Sequence, residues 1–419
     1  MYVIKTDSTG VCEWEATFGG AYDDIAFSLL QTSDGGYVIA GSTRSYAAEK
    51  MGILIKIDAT GNLIWQQLYD AVPLHITIRS VLNGIDGGYM LAGYTFATFE
   101  QEYLLIKTDD EGEVIWQRTY EVPGPSPGFT FNSAAMTSDS CCLMVGSDRV
   151  HRHYVMKLDY NGDIVWAHSY GVGYPPWANE VTSIIELTST RYAFSGEEYY
   201  CEPPYWWQGI LSLITDEGNL IWTKAYYFPG SGYSSLRSIA PKQYSEPGLI
   251  SAGQDGSDAY FVNVNVTTGN EIWAMTFGGT GGEQALSIIE IGGGSYVATG
   301  YTDSWGAGGN DVLLVEIGFQ TGMTPESPGS ENGFSLQTIH PNPFASELSI
   351  EFELDTASDI LLRVYDIAGH LVSELVNCHL LSGSHLYHWS PESELPNGCY
   401  SVVLDAEGSR SVQRCIRLR

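Results

Sequence analysis

With 419 residues the chain is long enough for two or more domains and a large buried core. Its 50 acidic side chains against 19 lysines and arginines give a formal net charge of -31, which repels nucleic acid and anionic lipid and argues against nucleic-acid binding. No apolar run approaches the ~18 residues of a membrane-spanning helix, so no transmembrane segment is expected. The cysteines, Cys12, Cys141, Cys142, Cys201, Cys378, Cys399 and Cys415, form neither a zinc pattern nor a disulfide framework.

The chain opens on Tyr2 to Asp7 and Glu13 to Phe18, which read as a third and a fourth strand of a repeat. That repeat is marked by Trp14, Trp65, Trp116, Trp166, Trp222 and Trp273, spaced 51, 51, 50, 56 and 51 residues apart. Each tryptophan follows a glycine by four places: Gly10, Gly61, Gly112, Gly162, Gly218 and Gly269. In the first complete unit, DIAFSLL from Asp24 leads through Asp34-Gly35-Gly36 to YVIAGST from Tyr37. A loop then precedes ILIKID from Ile53, and Ala59 to Gly61 turn the chain into LIWQQL from Leu63. The apolar period of 2 and the turn residues every 8 to 12 positions predict four short antiparallel strands per unit.

Glycine closes each second strand, at Gly41, Gly93, Gly146, Gly196, Gly253 and Gly300. A serine marks each first strand, at Ser28, Ser80, Ser133, Ser183, Ser238 and Ser287. Four-stranded units in series protect their edges by radial closure, so residues 1–318 are expected to form a β-propeller of six to seven blades, each tryptophan packing on the neighbouring blade. The last unit supplies only a first, second and third strand. Met1 leads straight into strand-like sequence without an export signal. Both features lead to the expectation that a signal and further strands precede Met1.

Residues 319–335, rich in Pro, Gly, Ser and Glu, read as a linker. From Leu336 to Arg419 strands resume without the repeat, as LSIEFEL, ILLRVYD, SHLYHW and CYSVVLD, which suits an immunoglobulin-like β-sandwich. The fold class is therefore all-β.

The C-terminal stretch carries His340-Pro341-Asn342-Pro343-Phe344, then Val364-Tyr365-Asp366-Ile367-Ala368-Gly369. Gly383, His385 and Trp389 follow, and then Pro396-Asn397-Gly398-Cys399-Tyr400. This series resembles the type A sorting domain of the type IX secretion system of Bacteroidetes. Its motif residues map to Pro341, Asn342, Pro343, Tyr365, Asp366, Gly369, Gly398 and Tyr400. Cys399, where the family has an apolar residue, and an arginine-rich tail depart from the pattern. The resemblance implies the secretion machinery as partner and a place outside the cell or on the outer-membrane surface. The K-x-D-x-x-G-x-x-x-W blade repeat resembles that of quinoprotein-like propellers, a likeness of fold and not of activity.

Residues with catalytic potential weigh against bland readings. Cys141-Cys142 resembles the vicinal pair of quinoprotein dehydrogenases but replaces Gly-Tyr at a hairpin turn and reads as a buried pair. Asp58-Ala59-Thr60-Gly61 resembles the sialidase Asp box without matching its spacing, and Arg79 and Arg237 form no evident cluster. Asp24, Glu180, Glu197, Glu198 and Glu283 offer carboxylate pairs of the sort used in glycoside cleavage, but among so many acids most are expected to be solvated. His151 and His153, without a third ligand, read as surface residues. No catalytic residue, metal ligand or cofactor is expected.

The informative local feature is aromatic. Loops at Gly171–Asn179, Glu197–Gly209 and Tyr226–Ser234 are expected on one propeller face. Their candidate ligand-binding residues are Trp177, Tyr199, Tyr200, Tyr205, Trp206, Trp207 and Tyr233, with Tyr174 and Tyr227 nearby. Such rings either stack on a glycan or grip a surface protein or peptide, or bury one another. The expectation is an exported propeller with a binding or structural role. The alternative is an extracellular polysaccharide-active hydrolase or lyase using the same face.

Overall fold

The computed structural model describes residues 1–8, 10–47, 50–70, 75–96, 101–124, 129–148, 152–171, 179–200, 206–227, 232–242, 248–292, 295–305, 308–317, 334–340, 344, 346–365, 371–391, 395, 398–406 and 409–417. The chain divides into two compact units, Met1–Phe319 and Gln320–Arg419.

The first unit opens with a two-stranded sheet, β1 (Tyr2–Thr6) and β2 (Cys12–Thr17). Five four-stranded sheets follow. The first is β3 (Asp24–Gln31), β4 (Tyr37–Thr43), β5 (Met51–Ile57) and β6 (Leu63–Tyr69). The second is β7 (His75–Asn83), β8 (Tyr89–Phe96), β9 (Gln101–Thr108) and β10 (Val114–Tyr120). The third is β11 (Phe131–Met136), β12 (Cys142–Ser147), β13 (His153–Leu158) and β14 (Ile164–Tyr170). The fourth is β15 (Glu180–Thr188), β16 (Arg191–Tyr200), β17 (Trp206–Thr215) and β18 (Leu220–Tyr226). The fifth is β19 (Ser234–Lys242), β20 (Gly248–Asp255), β21 (Asp258–Asn265) and β22 (Glu271–Phe277). A three-stranded sheet, β23 (Glu283–Gly292), β24 (Ser295–Thr302) and β25 (Asp311–Ile317), ends the series.

Each four-stranded sheet is an antiparallel meander whose first strand packs on the first strand of the next sheet. Second and third strands of the four-stranded sheets are buried on both faces, as in β4 and β5, because they lie between neighbouring blades. Fourth strands such as β10 keep one face in water. The near-continuous apolar runs of the third strands follow from this placement. Their repeated lysine tolerates burial because its ammonium reaches the aspartate of the turn between the first two strands. Lys56–Asp34 and Lys107–Asp86 meet at 2.8 Å and Lys157–Asp139 at 2.7 Å. In the third of these turns Ser140 takes the positive φ that Gly35 and Gly87 hold in the first two.

The repeated residues are the joints between blades. Gly61, Gly112, Gly162, Gly218 and Gly269 all have positive φ. A Cβ added there would fall 2.8–3.1 Å from the ring of Trp14, Trp65, Trp116, Trp166 or Trp222, each one blade earlier. The tryptophan therefore packs flush on the next blade's turn, as its spacing predicts. Tyrosines ending four fourth strands complete the contact. Tyr69, Tyr120 and Tyr170 donate to the carbonyls of Gly112, Gly162 and Gly218 at 2.7 Å, and Tyr226 donates to Gly269 at 2.6 Å.

On the inner strands the repeated serine does the same work. Ser28, Ser80 and Ser238 accept hydrogen bonds from the backbone N–H of Val81, Ala134 and Ile288 in the following blade. The residue before each serine is bulged out of the ladder, at Phe27, Arg79, Asn132, Thr182, Arg237 and Leu286. The second-strand glycine lies against this bulge: a Cβ on Gly41 would meet the Ile25 carbonyl oxygen at 2.0 Å.

The second unit is a sandwich. One sheet orders β26 (Phe334–His340), β27 (Leu348–Leu354) and β30 (Gly383–Trp389). The other orders β29 (Leu371–Leu380), β28 (Ser358–Tyr365), β31 (Gly398–Ala406) and β32 (Ser409–Arg417). Alternate residues of β27 and β28 point inward. Trp389 packs between Phe344 at 5.4 Å and Tyr400 at 5.9 Å, centroid to centroid. Among the described residues there is no α-helix, so no helix is long and apolar enough to cross a membrane.

Candidate functional site

The hairpin β16–β17 is ten residues long in each strand, and its ladder runs out to Tyr199 opposite Trp207 and Tyr200 opposite Trp206. Cross-strand aromatic pairs stabilise such an extension. The rings of Tyr199 and Trp207 meet edge to face at 5.3 Å, and the Tyr199 N–H donates to Asn179 Oδ1 at 3.1 Å. Trp207 also makes a parallel bridge to Tyr233, at the entry to β19 in the next blade. Three of the seven aromatic candidates, Tyr199, Trp207 and Tyr233, thus come together, all half-buried. Tyr200 and Trp206 are placed by their backbones only. Trp177 and Tyr205 lie outside the described residues.

Two residues before Tyr199 on the same strand begins a polar group that the loops alone did not reveal. Glu197, on β16, is 8% exposed and meets the bulged Arg237 of β19 at 3.1 Å. The Tyr233 hydroxyl donates to Glu197 Oε2 at 3.4 Å and accepts from Arg237 Nη2 at 3.3 Å. His153 Nε2 donates to the Glu197 carbonyl oxygen at 3.2 Å. Burial pushes the Glu197 carboxyl above its usual range, and the facing guanidinium offsets only part of that shift. Burial likewise raises Glu198. The Nε of Arg237 is buried with no hydrogen-bond partner among the described residues. A signal for this pairing was present in the sequence: Arg237 occupies the position before the repeated serine, which the bulge turns out of the sheet.

Several residues fall differently from their sequence reading. His153, expected at the surface, is buried against Phe194, and burial lowers its pKa to about 4. His151 is outside the described residues. Glu197 and Glu283, expected to be solvated, are both buried. Glu283 holds its own loop, accepting from Gly279 N–H at 2.9 Å and Thr302 Oγ1 at 2.7 Å. Asp24 does likewise, accepting from Gly20 N–H at 2.8 Å and Ser45 Oγ at 2.7 Å. Both carboxylates therefore serve as loop caps. Cys141 and Cys142 are buried free thiols, raised by burial, Cys142 to about 12, so neither presents a thiolate. Among the described residues no cluster of three or more His, Cys, Asp or Glu is placed to hold a metal ion.

In the second unit, Tyr365 is half-buried at the end of β28, opposite Leu371 and Ser401, and Tyr400 lies in the core. Gly398 is placed by its backbone at the start of β31. Pro341, Asn342, Pro343, Asp366 and Gly369 lie outside the described residues.

Consecutive four-stranded antiparallel sheets joined face to face, followed by an aromatic-cored sandwich, define a β-propeller with a small C-terminal β-sandwich domain. Residues 338–417 match the family described as secretion system C-terminal sorting domain, and this region is a sorting domain of the type IX secretion system. No curated protein matches the chain significantly. Among solved structures, similarity extends to the propeller of Dos1, at 11% identity over 95% of this chain and 93% of that one, TM-score 0.43. It extends also to a glucose dehydrogenase, at 11% over 70% and 96%, TM-score 0.44. A third is a protein of unknown function from Dyadobacter fermentans DSM 18053, at 12% over 71% and 96%, TM-score 0.45.

Proposed function

We propose that this exported propeller is a binding protein whose ligand is a glycan, taken at the lip formed by Tyr199, Trp207 and Tyr233. The observation that carries the reading is the edge-to-face Tyr199–Trp207 pair at the end of the hairpin that also carries Glu197, with Tyr233 joining the Glu197–Arg237 ion pair. Aromatic rings receive the apolar face of a sugar, while a carboxylate and a guanidinium side by side accept from and donate to neutral hydroxyls. A chain of net charge -31 favours a neutral glycan over an acidic one.

Glycan-array binding by the full chain and by Trp207→Ala tests this. The variant is expected to lose about fivefold or more in affinity, as for a stacking contact of ~1–3 kcal/mol, while keeping its fold because Trp207 is only half-buried. Binding of no glycan, or equal binding by the variant, refutes the reading. New reducing ends released from a bound glycan would instead assign the polysaccharide-active alternative to this face.

A further inference from the structure

The lysine of the third strand does more than meet its own turn. Lys56, Lys107 and Lys157 stand opposite the repeated tryptophan in the ladder, and Lys157 also reaches the next sheet, donating to the Tyr192 hydroxyl at 2.8 Å. Tyr192 faces Glu186 across the β15–β16 ladder. An ammonium, a phenol and a carboxylate thus share one joint.

The joint between β21 and the last sheet has the same register with one member changed. Asn263 stands opposite Trp273, and Glu290 opposite Tyr296. Asn263 therefore takes the place of Lys157, Tyr296 that of Tyr192 and Glu290 that of Glu186. β21 packs on β23, where Phe261, Ile288 and Tyr296 belong to one buried cluster. Asn263 and Glu290 lie two residues beyond Phe261 and Ile288, on the same strand faces.

Asn263 is 1% exposed and Tyr296 is fully buried. Among the described residues, Asn263 Oδ1, the Tyr296 hydroxyl and both carboxylate oxygens of Glu290 are buried with no hydrogen-bond partner. Burial, and then the charge of Glu290, push the Tyr296 phenol up to about 12, so it stays a neutral oxygen.

The joint between the fourth and fifth sheets is built differently. It too has no lysine, since Leu213 stands opposite Trp222. Its tyrosine and glutamate positions hold Leu249 and Pro241, which pair in the ladder, and Leu213 and Leu249 are fully buried. A joint without the ammonium can therefore close on apolar contact alone. At Asn263 four oxygens are enclosed instead, an arrangement that is costly unless a positive charge meets them.

We propose that this joint binds a monovalent metal cation, held by Asn263 Oδ1, the Tyr296 hydroxyl and the Glu290 carboxylate in the position that Lys157 gives its ammonium. One carboxylate balances one positive charge, and the amide and phenol oxygens are hard neutral donors of the kind sodium and potassium accept. Calcium takes about six to eight oxygens and draws on several carboxylates. The ion ties the fifth sheet to the last.

The full chain is exchanged into choline chloride, whose cation is too large for a buried site. Thermal melting is then followed in choline, sodium, potassium and calcium chlorides at equal ionic strength, so that the net charge of -31 is screened alike in each. The melting temperature is expected to be higher in sodium or potassium than in choline, and to rise with the logarithm of their concentration. Glu290→Gln should remove that difference. Asn263→Lys supplies the ammonium from the chain itself, and should melt in choline at or above the native chain in sodium or potassium, without responding to the salt. That gain reads the site independently of any damage done by Glu290→Gln. Equal melting of the native chain in all four salts overturns the proposal, and so does a salt response that persists in both variants. A response to calcium alone overturns it in favour of a divalent ion. Salt-insensitive melting with a loss on Lys242→Gln, a residue whose backbone ends β19 in the fifth sheet, would give the site to that lysine.

Discussion

His153 sits behind the candidate site, buried against Phe194 and donating to the backbone of Glu197. Burial lowers its pKa to about 4, and Asp148, the nearby charge that raises it, does not compensate. A depressed folded pKa means that the imidazole's contribution is present in full above the ordinary value near 6.5 and is lost as pH falls toward 4. Between pH 8 and pH 5 the unfolded chain takes up nearly one proton at this position that the folded chain refuses. The loss is about 2 kcal/mol by pH 5 and about 3 kcal/mol by pH 4. His153→Gln keeps a hydrogen-bond donor and removes the titration. Urea unfolding of both proteins at pH 8, 6.5 and 5 should show the native chain losing about 2 kcal/mol more than the variant. Carboxylates elsewhere titrate equally in the two and cancel. Parallel stability profiles for native protein and variant would refute the assignment of a neutral, buried His153.

Two further changes test the joints between blades. Ser80→Ala leaves the buried Ala134 N–H without its acceptor, and should cost about 1–3 kcal/mol in denaturant unfolding; a loss below a few tenths would show that the serine is incidental. Gly112→Val forces a β-branched residue into φ +82° with its Cβ 3.0 Å from the Trp65 ring. Left-handed strain and overpacking together should cost about 2–4 kcal/mol, read from the shift in denaturant midpoint. An unchanged midpoint would remove the tryptophan from the blade contact.

The propeller was legible because its joints repeat. A tryptophan, a glycine four places earlier, a serine on the first strand and a glycine closing the second each recur every 50 to 56 residues; the first three prove to be inter-blade contacts, and the last lies against the bulge of its own blade. Tyr69, Tyr120, Tyr170 and Tyr226 are equally regular, yet a tyrosine at a strand end reads as ordinary β-propensity until its hydroxyl is seen on the next blade's glycine carbonyl. The bulges were hidden because alternation of apolar residues does not reveal one extra residue in a ladder. The candidate site was legible only in its aromatic part. Glu197 and Arg237 are 40 residues apart, on strands of different blades, and which of 50 acids meets which arginine depends on the order of sheets in the ring. Burial of His153 and Glu283 escaped for the same reason: each is polar by type, and only a backbone or loop partner shows that it can be enclosed.

The Trp–Gly and Tyr–Gly contacts have a consequence for how such chains change over generations. The four blades from β3 to β18 each present the same glycine turn on one side and the same two aromatic groups on the other. Excision of the whole β7–β10 blade and its following loop would bring Trp65 and Tyr69 against Gly162 in place of Gly112, with the same ring packing and the same hydroxyl-to-carbonyl bond on offer. Unequal recombination between neighbouring repeats can therefore lengthen or shorten the array without inventing a new interface. Blade number is then free to drift, while the residues at each joint are held.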